Sequence, residues 1–289
     1  MMQRSPYLID GPAVISFSGG RTSGYMLFKI VEAYGGELPS DIVVAFANTG
    51  KEREETLRFV HECGVRFGVR IRWLEWRDIS VGYEEVGYNS ASRMGEPFDA
   101  LIRKKKRLPN WQERWCTSFL KLKPLFGLAA TFGWAAGQYA EVVGLRNDEG
   151  LRIFKGMANA EKNGHRMLYP LARAKVDKAT VMEFWSRMDF DLGLEPHEGN
   201  CDLCFMKGRG IKKRIIRARP DLAGWWSDKE SQQKGKQERG WFDRRDSIAG
   251  LAEEVRRAPD FFDESDGYEH DVECGLHCEP QQGESHEKA

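Results

Sequence analysis

The chain has 289 residues, of which 41% are apolar, and its 44 Lys and Arg balance its 44 Asp and Glu. This composition favours a soluble globular protein with a substantial core, and the zero net charge excludes an overall attraction to nucleic acid or to an anionic membrane. No apolar run approaches the roughly 18 residues of a membrane span, and the amino terminus has no apolar signal core, so we expect a cytoplasmic protein without membrane contact. In a reducing compartment the six cysteines are expected to be metal ligands, redox thiols or buried packing rather than disulfides.

Strand-like and helix-like segments alternate through the first two-thirds of the chain. Short apolar runs predict strands at residues 13–18, 42–48, 69–76 and 139–145. Segments with the patterning of helices lie between them, at residues 22–34, 53–67 and 124–136. This order predicts an α/β fold, a doubly wound parallel sheet with helices on both faces. Ligands of such sheets bind beyond the carboxyl ends of the strands, so we expect a site at the loops that follow the first two strands.

The composition changes near residue 193, where cysteines, tryptophans, basic helical turns and polar linkers become frequent. We therefore predict a first domain over residues 1–195 and a smaller, cysteine-containing C-terminal subdomain over residues 196–280. The polar residues 281–289 are predicted to be a disordered tail.

The loop after the first predicted strand reads Ser-Gly-Gly-Arg-Thr-Ser over residues 18–23 and opens a predicted helix. Adjacent glycines let a ligand approach main-chain N–H groups, and the dipole of the helix favours a bound anion. The loop lacks the lysine of a Walker motif and is too short for the dinucleotide-binding fingerprint. We therefore expect it to bind phosphate in another way.

Several segments together resemble the PP-loop ATP pyrophosphatase superfamily and, within it, the phosphoadenylyl-sulfate (PAPS) reductase family. The loop resembles the superfamily's SGGxxS pyrophosphate loop, and three later segments agree in order: NTG followed by ET within residues 48–56, CTSFLKLKPL at 116–125 and GLRNDE at 144–149. The resemblance implies an adenine-nucleotide α-hydrolase-like (HUP-type) fold, with residues 1–195 as the PP-loop domain of an adenine-nucleotide-dependent enzyme. The nucleotide- and phosphate-binding residues that it implies are Ser18, Gly19, Gly20, Arg21, Thr22, Ser23, Asn48, Thr49, Gly50 and Arg146.

The loop departs from the superfamily pattern at one position. Many relatives carry Asp where this chain has Thr22, and that carboxylate helps to hold a metal on the triphosphate. With a hydroxyl at this position, a requirement for magnesium stays open. The neighbouring Arg21 is either a phosphate contact or a solvated helix residue.

The cysteines indicate a metal centre. Cys201 and Cys204 form a CxxC motif, which can bind a metal or form a redox pair. Their spacing from Cys116 is similar to that in adenylyl-sulfate reductases, which bind a 4Fe-4S cluster, and this resemblance implies Cys116, Cys201 and Cys204 as ligands. Thr117 stands where those reductases have a further cysteine, so three ligands are present where four are expected.

The missing ligand leaves alternatives open. Some thiolases of the superfamily hold a cluster through three cysteines, and otherwise Cys274 or Cys278 would complete the shell. The main rival to the cluster is zinc held by the same thiolates, with His277 as a fourth ligand.

The segment Glu-Cys-Gly-Leu-His at residues 273–277 is similar to the carboxyl-terminal tail of assimilatory sulfonucleotide reductases. This resemblance implies Cys274 as a catalytic nucleophile that attacks the sulfur of an adenylyl sulfate, PAPS or its 3′-dephospho form APS. A thioredoxin-like partner would regenerate the thiol. On this interpretation the protein is a thiol-dependent reductase that releases sulfite.

A second interpretation is an ATP pyrophosphatase that adenylates an acceptor and transfers sulfur to it, as in the thiolation of tRNA or DNA. The basic runs at 103–107 and 207–219 could follow the backbone of such a nucleic acid acceptor, or they could be solvated faces. A third interpretation is a non-catalytic nucleotide-binding protein with a structural metal.

Overall fold

The computed structural model describes residues 4–233 and 240–257. Six strands form one sheet: β1 (Ala13–Ser16), β2 (Ile42–Asn48), β3 (Ile71–Trp76), β4 (Tyr83–Val86), β5 (Ala140–Val143) and β6 (Arg166–Leu168). Their order across the sheet is β4-β3-β2-β1-β5-β6. All neighbouring strands pair in parallel except β3 and β4, which are antiparallel. The predicted α/β fold is confirmed, and the sheet is parallel as predicted except at its edge, where β4 is antiparallel.

Helices connect and flank these strands. They are α1 (Arg21–Ala33), α2 (Glu54–Arg66), α3 (Glu96–Lys105), α4 (Lys123–Thr131), α5 (Gly150–Asn163), α6 (Pro170–Arg173), α7 (Lys178–Ser186), α8 (Arg209–Ala218), α9 (Ala223–Gln232) and α10 (Ile248–Arg257). A π-helical turn (Thr117–Leu122) leads directly into α4, and short 3-10 turns lie at Asn147–Glu149, Pro196–Glu198 and Pro220–Leu222.

Helices cover both faces of the sheet. Successive side chains of a strand point to opposite faces, so each central strand contributes to two apolar clusters. Ile15 of β1 belongs to a cluster that includes residues of α1, α2 and α7. Its neighbour Val14 belongs to another cluster, with Leu125 and Leu128 of α4. Because both faces are buried, β1 and β2 read as continuous apolar runs, which is why the sequence predicts them.

Two edge strands are absent from the sequence-based prediction. Tyr83 at the start of β4 is buried, whereas Glu84 and Glu85 are exposed, and four residues give too short an alternation to be recognised. β6 has three residues, all half-buried. Each lies at one end of the sheet, where only one neighbouring strand contributes to burial.

The segment from residue 201 to residue 257 does not form its core alone. Its apolar side chains share a cluster with α3, with Trp76 and with residues 108–120. The rings of Phe98 on α3 and Trp226 on α9 meet edge to face in this cluster, 5.9 Å apart between centroids. The domain boundary at residues 195–196 stays a prediction, and residues 281–289 lie outside the described part of the chain. No helix in the described ranges combines the length and the apolar character that crossing a bilayer requires.

Candidate functional site

A cleft opens at the carboxyl ends of β1 and β5. Its floor is formed by the loop of residues 18–23, which follows β1, and by Gly144, Leu145 and Arg146, which follow β5. From β1 the chain runs to β2 on one side, whereas β5 lies on the other, so the order of strands changes direction here. Ligands of open α/β sheets bind at such a point.

The loop of residues 18–23 contains one position, Gly19, whose conformation only glycine tolerates well. Gly19 has a φ of +78°, and a Cβ added to it would lie 2.7 Å from Cγ2 of Thr56. Gly20 is the N-cap of α1 and supplies no side chain to its first turn. The main-chain N–H groups at the start of α1 therefore face the cleft without a side-chain cap, and this arrangement favours a bound anion.

The serines of the loop stabilise its shape. The hydroxyl of Ser18 donates to Oγ of Ser23 at 3.0 Å. Oγ of Ser23 in turn donates to the carbonyl oxygen of Gly20 at 2.9 Å. These bonds join the two ends of the loop, so its shape is set before a ligand binds.

Arg146 reaches the loop from the end of β5. Its side chain is 11% exposed, and Nη1 donates to Oγ1 of Thr22 at 3.0 Å. On its other side Nε donates to Asp148 at 3.1 Å, while the main-chain N–H of Arg146 donates to Glu149 at 2.9 Å. Nη1 also lies 3.6 Å from the carboxylate of Glu149. Thr22 and two carboxylates thus orient the guanidinium at the floor of the cleft.

Besides Arg146, four cations line the cleft: Arg21, Arg152, Lys178 and Lys207. Arg152 pairs with Glu149. Nζ of Lys207 donates to the carbonyl oxygen of His197 at 3.0 Å. The sequence-based prediction of the site does not include Arg152 and Lys178, because they lie on elements far from the loop in the chain; it places Lys207 in a basic run only.

Arg21 lies in the wall of the cleft, but its guanidinium is held by other groups. Nε donates to Asp191 at 2.7 Å and Nη1 donates to the carbonyl oxygen of Leu194 at 2.9 Å. Arg21 therefore attaches the segment of residues 191–194 to the first turn of α1.

The loop after β2 lies beside the cleft rather than in its lining. Asn48 Nδ2 donates to the buried Glu75 at 2.7 Å and to the carbonyl oxygen of Ser92 at 2.9 Å. Gly50 has a φ of +79° and its N–H donates to Asn48 at 3.1 Å. Thr49 points to the CxxC motif, since its Oγ1 lies 3.5 Å from Sγ of Cys201. The lining of the cleft includes none of Asn48, Thr49 and Gly50.

The CxxC turn is buried against this loop. Cys201 and Cys204 are 9% and 8% exposed. Thr49 Oγ1 also donates to Glu52 at 2.9 Å, which completes a chain of thiol, hydroxyl and carboxyl groups. Burial raises the pKa of Glu52, against the opposing charge of Lys121. Burial also raises the pKa of Cys201, and the nearby Glu52 raises it further, so this sulfur is a thiol in the neutral range.

A buried ion pair anchors the turn. Nζ of Lys51 lies 2.9 Å from Asp202, and the two side chains are 7% and 4% exposed. Asp202 also accepts a hydrogen bond of 2.6 Å from Nε1 of Trp226. Gly199 and Asn200, which directly precede the turn, line the cleft. The CxxC turn therefore supports one wall of the cleft.

The three cysteines predicted as metal ligands are not gathered into one group. Cys116 is half-buried, precedes the π-helical turn and packs against the same apolar cluster as Cys201 and Cys204. Within residues 4–233 and 240–257, no three His, Cys, Asp or Glu side chains are grouped closely enough to hold a metal ion. The described residues therefore do not fit an iron-sulfur cluster or a zinc ion as they stand, and the metal assignment stays a prediction. Cys274, His277 and Cys278 lie outside the described residues.

Two curated proteins resemble the chain in sequence, and no family model matches it. An uncharacterized nin region protein, ORF290 of Escherichia phage lambda, is 31% identical over 205 residues, which cover 67% of this chain and 66% of that protein. An uncharacterized protein of Methanocaldococcus jannaschii, MJ0066, is 30% identical over 117 residues, which cover 40% of this chain and 19% of that protein. The chain thus spans just under two thirds of the first relative and about a fifth of the second.

The backbones of two solved structures align in part with this chain. The PAPS reductase of Candida auris, in a phosphate complex, aligns with a TM-score of 0.39 and 16% identity over 63% of this chain and 78% of that one. The U34-tRNA thiolase NcsA of Methanococcus maripaludis, with its 4Fe-4S cluster, aligns with a TM-score of 0.38 and 14% identity over 88% of this chain and 73% of that one.

Proposed function

We propose that the protein is an enzyme that binds the phosphate groups of an adenine nucleotide in the cleft beyond β1 and β5. The observation that carries this proposal is the loop of residues 18–23, which presents the uncapped start of α1 to a cleft lined by Arg146 and four further cations. Main-chain N–H groups and guanidinium groups together are the usual ligands of phosphate. The adenine part of the proposal comes from the PP-loop motifs of the sequence.

For the reaction we propose the thiol-dependent reduction of an adenylyl sulfate. The thiolate of Cys274 would attack the sulfur, the bond from that sulfur to the phosphate oxygen would break, and the adenine nucleotide would leave with the electron pair. A second thiol, from a thioredoxin-like protein, would then attack the Cys274 sulfur, forming a disulfide and releasing sulfite. Two thiols are oxidised and one sulfur is reduced, so the electrons balance.

The loop itself favours a second candidate, ATP pyrophosphatase chemistry. SGGRTS and GLRNDE resemble members of the superfamily that use ATP more closely than they resemble the reductases. In this reaction an acceptor oxygen would attack the α-phosphate of ATP and pyrophosphate would leave. A sulfur nucleophile would then displace AMP from the adenylated acceptor.

Binding is the first test. Isothermal titration calorimetry with ATP and with PAPS would compare the wild type with Arg146→Gln. We expect the loss of the guanidinium to weaken binding at least tenfold, because a hydrogen bond to a charged group contributes about 1.5–3 kcal/mol. Arg166→Gln is the matched control, since that guanidinium donates to the carbonyl oxygen of Asp10 and does not line the cleft. An affinity that is equal in Arg146→Gln and the control would reject the site.

Products then separate the two chemistries. The reductase is expected to release sulfite from PAPS or APS only with a dithiol, and Cys274→Ser should abolish this release. Cys63→Ala is the thiol control, because Cys63 is fully buried in the core. Release of pyrophosphate from ATP that survives Cys274→Ser would favour the second candidate, and binding without either product would indicate a non-catalytic nucleotide-binding protein.

A further inference from the structure

The outer face of α5 carries three large apolar side chains that the described part of the chain leaves uncovered. Leu151 and Phe154 are each 70% exposed, and Met157 is 58% exposed. Residues three apart lie on the same side of a helix, so these side chains form one stripe. Gly156, which lies on the opposite side of α5 from Phe154, is buried. Single exposed apolar residues are ordinary, whereas three on one helical face form a patch of the kind that is found at binding surfaces.

The segment that begins with α5 and continues into α7 is basic. Residues 150–182 contain seven Lys or Arg and two Asp or Glu, in a chain whose net charge is zero. One of the two acids, Asp177, caps α7 by accepting a bond of 2.8 Å from the N–H of Thr180. Four of the cations are exposed: Lys155, Lys162, Arg173 and Lys175.

The surface borders the cleft. Arg152 of α5 and Lys178 and Met182 of α7 line the cleft, and Met182 is 38% exposed. A ligand that lies along α5 can therefore reach the phosphate-binding loop. This position distinguishes the stripe from the other exposed apolar residues of the described chain, such as Val65 on α2.

We propose that the outer face of α5, together with residues 173–182, binds single-stranded nucleic acid at the mouth of the cleft. Bases would pack on Phe154 and its apolar neighbours, and phosphates would pair with the cations. An unpaired strand is required, since a double helix does not offer its base faces. A second copy of the chain fits less well because it would bring like charges together. The inference rests on the proposed function, and it names the class of acceptor for the second candidate reaction.

Fluorescence anisotropy would test the surface with fluorescein-labelled DNA and RNA strands of about 20 nucleotides at several salt concentrations. We expect Phe154→Ser to weaken binding about tenfold and to leave the salt dependence unchanged, because it removes stacking alone. The double variant Lys155→Gln/Lys175→Gln should lower the slope of log K against log salt by about 1.4, or 0.7 for each lost phosphate contact. The matched control is Arg58→Gln/Val65→Ser, which removes one exposed cation and one exposed apolar side chain from α2.

Several outcomes would overturn the proposal. One is a wild-type protein that binds neither strand, and another is an equal loss of affinity in Phe154→Ser and in the control. A wild-type dimer that Phe154→Ser converts to a monomer in light scattering would assign the stripe to a second copy of the chain. Binding to phosphatidylserine vesicles without binding to oligonucleotides would assign it to a membrane. The affinity for ATP, measured on the same variants, tests the cleft separately. If the oligonucleotides bind but ATP does not, the proposed function is rejected and the proposed nucleic-acid-binding surface is retained.

Discussion

Replacing Asp202 with Asn tests whether the buried ion pair holds the CxxC turn in place. The amide keeps the size of the side chain and can still accept the hydrogen bond from Trp226, but it removes the negative charge beside Lys51. The ammonium of Lys51 would then be buried without its partner. Breaking a buried pair in this way costs about 3–5 kcal/mol. We expect the low end, about 3 kcal/mol, because the ring of Trp225 lies 5.0 Å from the ammonium and still attracts it.

Urea unfolding followed by tryptophan fluorescence would measure this loss. With an m-value of about 3 kcal/mol per molar, a loss of 3 kcal/mol lowers the midpoint by about 1 M. Asp221→Asn is the matched control, because Asp221 pairs with Arg219 on the surface, where the side chains are 59% and 46% exposed. That pair should contribute less than about 1 kcal/mol. Equal shifts in the two variants would refute the reasoning, as would a failure of Lys51→Met to recover stability in the Asp202→Asn background.

Three further predictions concern the loop, the arginine and a buried acid. Gly19→Ala should lower both the melting temperature and the affinity for ATP, because the added Cβ would lie 2.7 Å from a threonine side chain. Gly20→Ala should lower both quantities much less, because its Cβ would lie 3.7 Å from the nearest atom. A larger loss in Gly20→Ala than in Gly19→Ala would contradict the geometry. Thr22→Val should weaken ATP binding about tenfold, because Arg146 loses the hydroxyl that accepts its hydrogen bond. Thr22→Ser keeps this hydroxyl and should keep the affinity. Equal affinities of the two variants in calorimetry would show that Thr22 does not orient Arg146. Burial raises the pKa of Glu230 to about 7. Between about pH 4.5 and 7 the native state therefore retains a proton that the unfolded chain releases. The free energy of unfolding should fall by up to about 3 kcal/mol as pH rises from about 4.5 to 7. Urea titrations across this range should show a flatter profile for Glu230→Gln, and an unchanged profile would exclude Glu230 as the source.

The centre of the fold could be predicted from the sequence because its signals are local. β2 is apolar from Ile42 to Ala47, and its predicted bounds, 42–48, agree with the strand observed. The edge strands β4 and β6 could not be predicted, because three or four residues with one neighbouring strand carry too little periodicity. The shared core of α3 and the C-terminal helices depends on contacts between distant segments, which no local pattern records.

Some residues of the candidate site could likewise be predicted from the sequence, and others could not. The loop of residues 18–23 is continuous in sequence, so its glycines and serines could be recognised together. Arg152 and Lys178 enter the cleft from separate helices, and only the folded chain brings them to the loop. The loop at 48–50 ends at the same edge of the sheet, but β2 lies on the far side of β1 from β5. The position of a loop at the carboxyl edge of the sheet therefore does not show whether that loop lines the cleft.

The contact between the β2 loop and the CxxC turn has a consequence for how this chain can vary. Lys51 pairs with Asp202, Thr49 contacts Cys201, and the main chains of the two segments are joined by a bond of 2.8 Å from the N–H of Asp202 to the carbonyl oxygen of Lys51. A substitution in either segment leaves a charge or a polar group buried without its partner, so accepted changes should come in pairs. In a set of diverged homologues, positions 49 and 51 are therefore expected to co-vary with positions 201 and 202, although about 150 residues separate them in the chain.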